Sequence, residues 1–138
     1  MTDDYAIAAG VPSVVEFCQL RRLAGMTERS AAAAAAGLPN SWAAVVVRHG
    51  GFAVGMGRII GDGGLAFQIV DIAVDPAHQQ RGLGKAIMAW LLAELRARAP
   101  AEAYVSLIAD GDARHLYARF DFAPVMPASI GMALWLTA

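Results

Sequence analysis

The chain has 138 residues, a hydrophobic fraction of 57%, a charged fraction of 17% and a formal net charge of −1. That length suits a single domain over 1–138 with one core, and that composition excludes a disordered chain. The near-neutral charge removes the general electrostatic drive towards nucleic acid, and no stretch reaches the roughly 18 apolar residues that span a bilayer, so neither nucleic acid nor membrane is an expected partner.

The N-terminal MTDDYAIAAG is acidic and lacks the basic start and apolar run of a secretion signal. Pro12 to Leu23 reads as a helix, with Val14, Val15, Cys18 and Leu23 as its apolar surface. Cys18 is the only cysteine, which precludes an intrachain disulfide and fits a reducing cytoplasm. The run Ala31 to Ala36 reads as a second, short helix. Thr27 is the expected cap and Gly37 the expected stop.

Strands follow. Ala43 to Arg48, Phe52 to Ile60 and Leu65 to Val74 are separated by the turn signals His49-Gly50-Gly51 and Gly61-Asp62-Gly63-Gly64, and predict an antiparallel meander. Gly82 to Arg98 predicts a long helix, because Leu83, Ile87, Trp90, Leu91 and Leu95 recur at helical spacing. Tyr104 to Ile108 reads as a buried strand. A helical face carrying Ala113, Leu116, Tyr117 and Phe120 follows it, and Ile130 to Leu136 is an expected last strand. The fold class is therefore α/β: a mixed central sheet, antiparallel meander then strand-helix-strand, with helices on both faces.

One segment carries chemistry. Between Val74 and Lys85 a strand ends, a glycine-containing loop follows and a helix begins. The first amides of a helix lack intrahelical acceptors and sit at the positive end of its dipole, so such a terminus binds phosphate. Glycines let the backbone approach the ligand, and Arg81 and Lys85 add positive charge. Two familiar loops do not fit. A Walker loop needs Ser or Thr at Ala86 and Gly at Gln79, and the dinucleotide fingerprint needs a third Gly at Ile87.

The segment resembles the coenzyme A signature of the GNAT acetyltransferases: Gln or Arg, two residues, Gly, one residue, then Gly or Ala. Gln79, Gly82 and Gly84 match it, and Ile72-Ala73-Val74-Asp75-Pro76 resembles the strand ending that precedes it. The resemblance implies a GNAT-like fold and acetyl-CoA as co-substrate. It also implies a pyrophosphate held by amides from Gln80, Arg81, Gly82, Leu83, Gly84 and Lys85, with the pantetheine arm paired along Ile72, Ala73 and Val74.

A later motif of the same family is Asn, two residues, Ala, two residues, Leu-Tyr, one residue, Lys or Arg, one residue, Gly-Phe. Ala113, Leu116, Tyr117, Arg119 and Phe122 match it, whereas Asp110 replaces Asn and Asp121 replaces Gly. An ionised Asp110 cannot donate as Asn does, so one contact to the coenzyme or to water changes character. Asp110 and Arg119 enter the expected cofactor-binding set. By resemblance, Tyr117 protonates the departing thiolate; from spacing alone, core packing on the face it shares with Leu116 and Phe120 is the favoured reading.

An amine must lose a proton before it attacks. Asp71 on the strand Ile69-Val70-Asp71-Ile72 is the candidate base. If buried and unpaired its pKa would rise; the alternative is a structural aspartate bound to backbone amides or arginine. Arg58 is expected roughly across from Phe67 and Gln68, pointing into solvent, with pairing to Asp71 or to an acidic substrate group as alternatives. Phe67, Gln68, Arg58, Met26 and Trp42 form the expected acceptor set, although an aromatic or Met at such positions more often serves the core. His49, His78 and His115 have no metal-site arrangement, and the chemistry calls for no metal. The acceptor is expected to be a small-molecule amine. Peptide or protein acetylation, non-catalytic acyl-CoA sensing and tRNA modification are the rivals. A homodimer through the last strand is expected by analogy.

Overall fold

The computed structural model describes residues 4–137. Five strands and four α-helices follow in chain order: β1 (Tyr5–Ala9), α1 (Val14–Leu23), α2 (Ala31–Gly37), β2 (Ala43–His49), β3 (Phe52–Gly61), β4 (Ala66–Val74), α3 (Leu83–Arg98), β5 (Tyr104–Leu107) and α4 (Ala113–Ala118). The chain divides into two compact units, one ending at Leu107 and one from Ile108 onward.

In the first unit the sheet order is β1-β2-β3-β4-β5. The first four strands are antiparallel to their neighbours, and β5 joins β4 in parallel. Parallel pairing needs a long crossover, and α3 supplies it. The meander and the strand-helix-strand unit expected from the sequence are both present. β1 was not foreseen: Tyr-Ala-Ile-Ala-Ala is short and largely exposed, and its identity as a strand comes from the ladder with Val45 to His49.

Local chemistry sets the boundaries. Ser13 caps α1, accepting from the Glu16 amide, while the Glu16 carboxylate accepts from the Ser13 amide. Ser30, not Thr27, caps α2: its side chain accepts from the Ala33 amide at 3.0 Å. A cap must immediately precede the first turn for its oxygen to reach the amide three residues on, and Thr27 lies too far upstream. In the β3–β4 turn, Asp62 Oδ1 accepts from the amides of Gly64, Leu65 and Ala66. Those backbone donors hold its carboxyl below the usual carboxylate range.

Each face of the sheet has its own packing. Phe17, Leu20, Ala34 and Leu38 of α1, α2 and the turn after α2 cluster with Met56 of β3 and Ala73 of β4. On the other face α3 lies close because β3 carries glycines there. A Cβ on Gly57 would stand 2.7 Å from Ile72 Cδ1 and 2.7 Å from Ile87 Cγ2, and one on Gly55 would stand 3.2 Å from Ile87 Cδ1. Ile87, Met88 and Leu91 of α3 are fully buried.

The second unit is built around α4, none of whose residues is buried. Asp121, at the position where the family motif has glycine, adopts φ 72°, the left-handed conformation that glycine would supply. Ile130 to Leu136, expected as a strand, has no ladder partner among the described residues. An apolar stretch becomes a strand only where another backbone satisfies its amides and carbonyls.

Candidate functional site

The site begins with a break in the β3–β4 ladder. Arg58 opposes Val70 and Met56 opposes Ala73, so Gly57 alone faces two residues, Asp71 and Ile72. Two residues against one is a β-bulge. Asp71 takes the left-handed conformation within it, at φ 59°. Residues at such φ other than glycine cost about 1–3 kcal/mol and persist where the surroundings over-determine them. The bulge puts Val70 and Asp71, partner and neighbour of Arg58, on the face of α1 and α2, while Ile72 turns to α3. β4 pairs with β5 only from Ala66 to Ile69. From Val70 to Val74 its edge away from β3 has no partner strand among the described strands of the first unit, so the backbone groups that alternate residues point to that edge have no ladder there, and the Val74 carbonyl accepts from Gln79 Nε2.

The loop after β4 leads into α3. The Asp75 side chain accepts from the Ala77 amide, and Gln79 Nε2 donates to the Val74 carbonyl at 3.2 Å. Gln80 sits at φ 63° and Gly82, the residue before α3, at φ 79°. Among the described residues none of the amides of Gln80, Arg81, Gly82, Leu83, Gly84 and Lys85 donates to a protein acceptor. A Cβ on Gly82 would meet nothing within 4 Å, so the space above the loop is open. Arg81 and Lys85 are exposed beside it. A row of unpaired amides at the N-terminus of a long helix, under open space and flanked by cations, fits a phosphate-bearing group.

On the other side of the bulge lies a charged cluster. Asp71 accepts from Arg21 Nη1 at 2.5 Å through Oδ1 and from Arg58 Nε at 2.6 Å through Oδ2. Its side chain is only 7% exposed, against 6% for Arg21 and 18% for Arg58. Arg58 is therefore not the solvated side chain expected from the sequence. Its strand partner is Val70 rather than Phe67 or Gln68, because Gly61 is still in β3 and pairs with Phe67, which sets the register. Asp71 is paired to arginines, the structural alternative of the sequence analysis. A pocket of about 110 Å³ opens beside the cluster, lined by residues including Phe17, Arg29, Leu38, Arg58 and Asp71. Phe67 and Trp42 do not line it. They meet edge-on at 4.7 Å, with the Arg98 guanidinium from the end of α3 4.1 Å above the Trp42 ring. Gln68 lies opposite Ile60, and Met26 packs against the α1–α2 cluster; neither lines the pocket.

In the second unit, Tyr117 lies on α4 and is partly buried. Burial first, and the Asp110 carboxylate second, raise its phenol above the ordinary value, so it is protonated at neutral pH. Arg119 closes α4, its amide donating to Leu116 and Tyr117 carbonyls.

The sequence profile of the acetyltransferase (GNAT) domain matches residues 40–124. The chain belongs to the GNAT acetyltransferases. No curated protein sequence matches it. Among solved structures, this GNAT protein is similar to a protein of unknown function and probable acetyltransferase from meticillin-resistant Staphylococcus aureus. The two are 39% identical over 96% of this chain and 99% of that one, with a TM-score of 0.92. A GNAT family acetyltransferase from Streptococcus pneumoniae shares the fold at 20% identity and TM-score 0.77, covering 96% and 98% of the two chains. Glucosamine-6-phosphate N-acetyltransferase from Arabidopsis thaliana does so at 14% identity and TM-score 0.71, covering 96% and 99%.

Two site residues of this GNAT enzyme escaped the sequence reading. Arg21 sits four residues after Phe17 and seven after Val14, on the apolar stripe of α1, and an arginine in that register signals a buried partner. Arg29, just before α2, carries no comparable signal; folding alone brings it to the pocket.

Proposed function

We propose that this GNAT acetyltransferase transfers the acetyl group of acetyl-CoA to a small-molecule amine by direct attack on the thioester. The amide row from Gln80 to Lys85, opening α3 beside the unpaired edge of β4, carries the reading. It suits a pyrophosphate followed by an extended, amide-bearing arm. In this reading Gln79 braces the loop through the Val74 carbonyl, Arg81 and Lys85 attract the phosphates, and Ile72, Ala73 and Val74 offer backbone to the arm. The amine nitrogen bonds to the acetyl carbon, the carbon–sulfur bond breaks, the nitrogen sheds a proton and the sulfur gains one. Tyr117 is the acid that supplies the sulfur's proton, a role carried by the family motif and by a phenol held in its protonated form. Both carboxylate oxygens of Asp71 hold arginines, so its part here is to position Arg21 and Arg58, and the amine's proton leaves through water. The small size of the pocket beside Asp71 favours a small molecule over a peptide as acceptor.

Thermal unfolding with and without acetyl-CoA tests the reading. At ~100 times its dissociation constant the coenzyme adds about 2.7 kcal/mol of stability, a rise of several degrees in Tm. Gly82→Glu abolishes the rise, because the new carboxylate enters the open space over the loop and repels phosphate. A wild-type protein whose Tm does not respond to saturating coenzyme overturns the proposal.

A further inference from the structure

The loop between β4 and α3 is anchored at its base by side chains. Asp75 accepts from the Ala77 amide at 2.9 Å, and Gln79 Nε2 donates to the Val74 carbonyl at 3.2 Å, both within five residues of chain. His78 reaches much further: its Nδ1 lies 2.7 Å from the Tyr5 hydroxyl, across 73 residues. A neutral imidazole has one acceptor nitrogen; with Nδ1 accepting the phenol proton, the ring carries its own proton on Nε2. Among the described residues, His78 is the one side chain from Asp75 to Lys85 whose hydrogen bond reaches beyond Val74. Tyr5 opens β1 and pairs in register with His49, the last residue of β2. Ring centroids of Tyr5 and His49 are 4.9 Å apart, those of His49 and His78 5.0 Å, and Tyr5 meets His78 edge-on at 5.6 Å. The connection thus leaves β4 with the Asp75 amide bonded to the Val54 carbonyl of β3, and lays His78 against the ends of β2 and β1. Two residues beyond His78, Gln80 takes φ 63°, and Gly82 follows at φ 79°. Such conformations persist where the surroundings fix them. Fixing them before a ligand arrives removes an ordering cost from binding.

We infer that Tyr5 is a positioning residue for coenzyme binding: from the start of β1 its hydroxyl holds His78, and through His78 the loop whose amides from Gln80 to Lys85 receive the pyrophosphate. This deepens the acetyltransferase reading and rests on it. β1 itself does not need the bond, because its ladder to β2 runs from Tyr5 to Ala9. The consequence of the bond falls on the loop, which has no other long-range side-chain anchor among the described residues. His49 packs beside both rings and restricts their rotation. In this way β1, two strands removed from β4 in the sheet, takes part in the coenzyme site without touching the coenzyme.

Titration calorimetry with acetyl-CoA, and amide exchange in the coenzyme-free protein, test this. Tyr5→Phe keeps the ring and removes only the hydroxyl. The expected result is a Kd for acetyl-CoA raised about two- to tenfold, the effect of one neutral hydrogen bond. His78→Leu raises it by a similar factor, and combining the two substitutions adds nothing further, because both remove the same bond. His78→Asn restores affinity, since its Oδ1 stands about where Nδ1 stood and accepts from the hydroxyl. The amides of Ala77, His78 and Gln79, hydrogen-bonded at the base of the loop, exchange faster in Tyr5→Phe by a similar factor. A Tyr5→Phe protein with the wild-type Kd overturns the proposal, and so does His78→Asn binding no better than His78→Leu. The two His78 variants decide the matter if Tyr5→Phe does not fold. If the wild type itself does not bind acetyl-CoA, the acetyltransferase reading falls. Exchange alone then decides whether Tyr5 holds the loop, and equal rates in wild type and Tyr5→Phe overturn it.

Discussion

In the proposed reaction Asp71 is the charge that holds Arg21 and Arg58, and Tyr117 is the acid that gives up a proton. Asp71→Asn keeps the shape and removes the charge that both arginines share. Breaking a buried ion pair on one side costs about 3–5 kcal/mol, and urea unfolding should register a loss of that order. If Asp71 positions Arg58, the variant that still folds shows a raised acceptor KM and keeps the pH profile of kcat. A displaced acidic limb would instead make Asp71 the base. Tyr117→Phe removes only the hydroxyl. Turnover should fall by about 10²–10⁴-fold, or about tenfold where water substitutes, with acetyl-CoA affinity unchanged. Turnover at the wild-type rate with a good acceptor would return Tyr117 to packing against Leu116 and Phe120.

At the scale of elements, α1 is anchored twice by Glu16, once through the Ser13 cap and once through Arg48 of β2 at 2.7 Å. The hydrogen bond from Arg48, then that from the Ser13 amide, lowers the Glu16 carboxyl from 4.5 to about 2. A carboxyl depressed in the folded state stabilises the protein above its unfolded pKa and loses that contribution as pH falls towards the folded one. Glu16 is a quarter exposed and Arg48 more so, so solvent screening limits the pair to about 0.5–1 kcal/mol. Glu16→Gln, which keeps a capping oxygen, should lower stability by that amount at neutral pH. Urea titrations should then show variant and wild type converging as pH drops from 4.5 to about 2. A gap constant across that window would mean the carboxylate charge contributes nothing. β3 makes a steric prediction. Gly57→Ala drives a methyl against Ile87 Cγ2, on a β-branched side chain with little freedom in a helix, and should cost about 1–3 kcal/mol in the same assay. An unchanged midpoint would mean α3 yields. The alternation Gly55-Met56-Gly57-Arg58 was visible as a strand, but which face α3 would cover was not, since glycine is equally at home in a turn or a bulge.

Across the whole molecule, burial is uneven. The first unit buries Val45, Val47, Ile59, Ile87, Met88 and Leu91 completely, whereas α4 in the second buries no residue. Native-state hydrogen exchange should therefore find the slowest amides in β2, β3 and α3, with α4 exchanging far faster in the absence of coenzyme. Equal protection in α4 and α3 would show that stability does not follow this burial. Ile130, Met132, Leu134 and Leu136 remain exposed, which is where the strand expected from their apolar character has no ladder to join.

What could be read along the chain is what depends on neighbours in sequence. The helical period of Leu83, Ile87, Leu91 and Leu95, the turn residues of the meander, the Gln79-Gly82-Gly84 spacing and the Leu116-Tyr117 motif are local patterns, and each led to its element or to the family. Partnerships between distant residues were decided by folding. β1 is a strand because β2 lies beside it. Arg21 and Arg58 meet Asp71 across 50 and 13 residues of chain. No local pattern reports the bulge that turns Asp71 towards them. Charge pairing in a buried site depends on which side chains the packed sheet and helices bring within about 3 Å, and that is a property of the assembled core rather than of any segment.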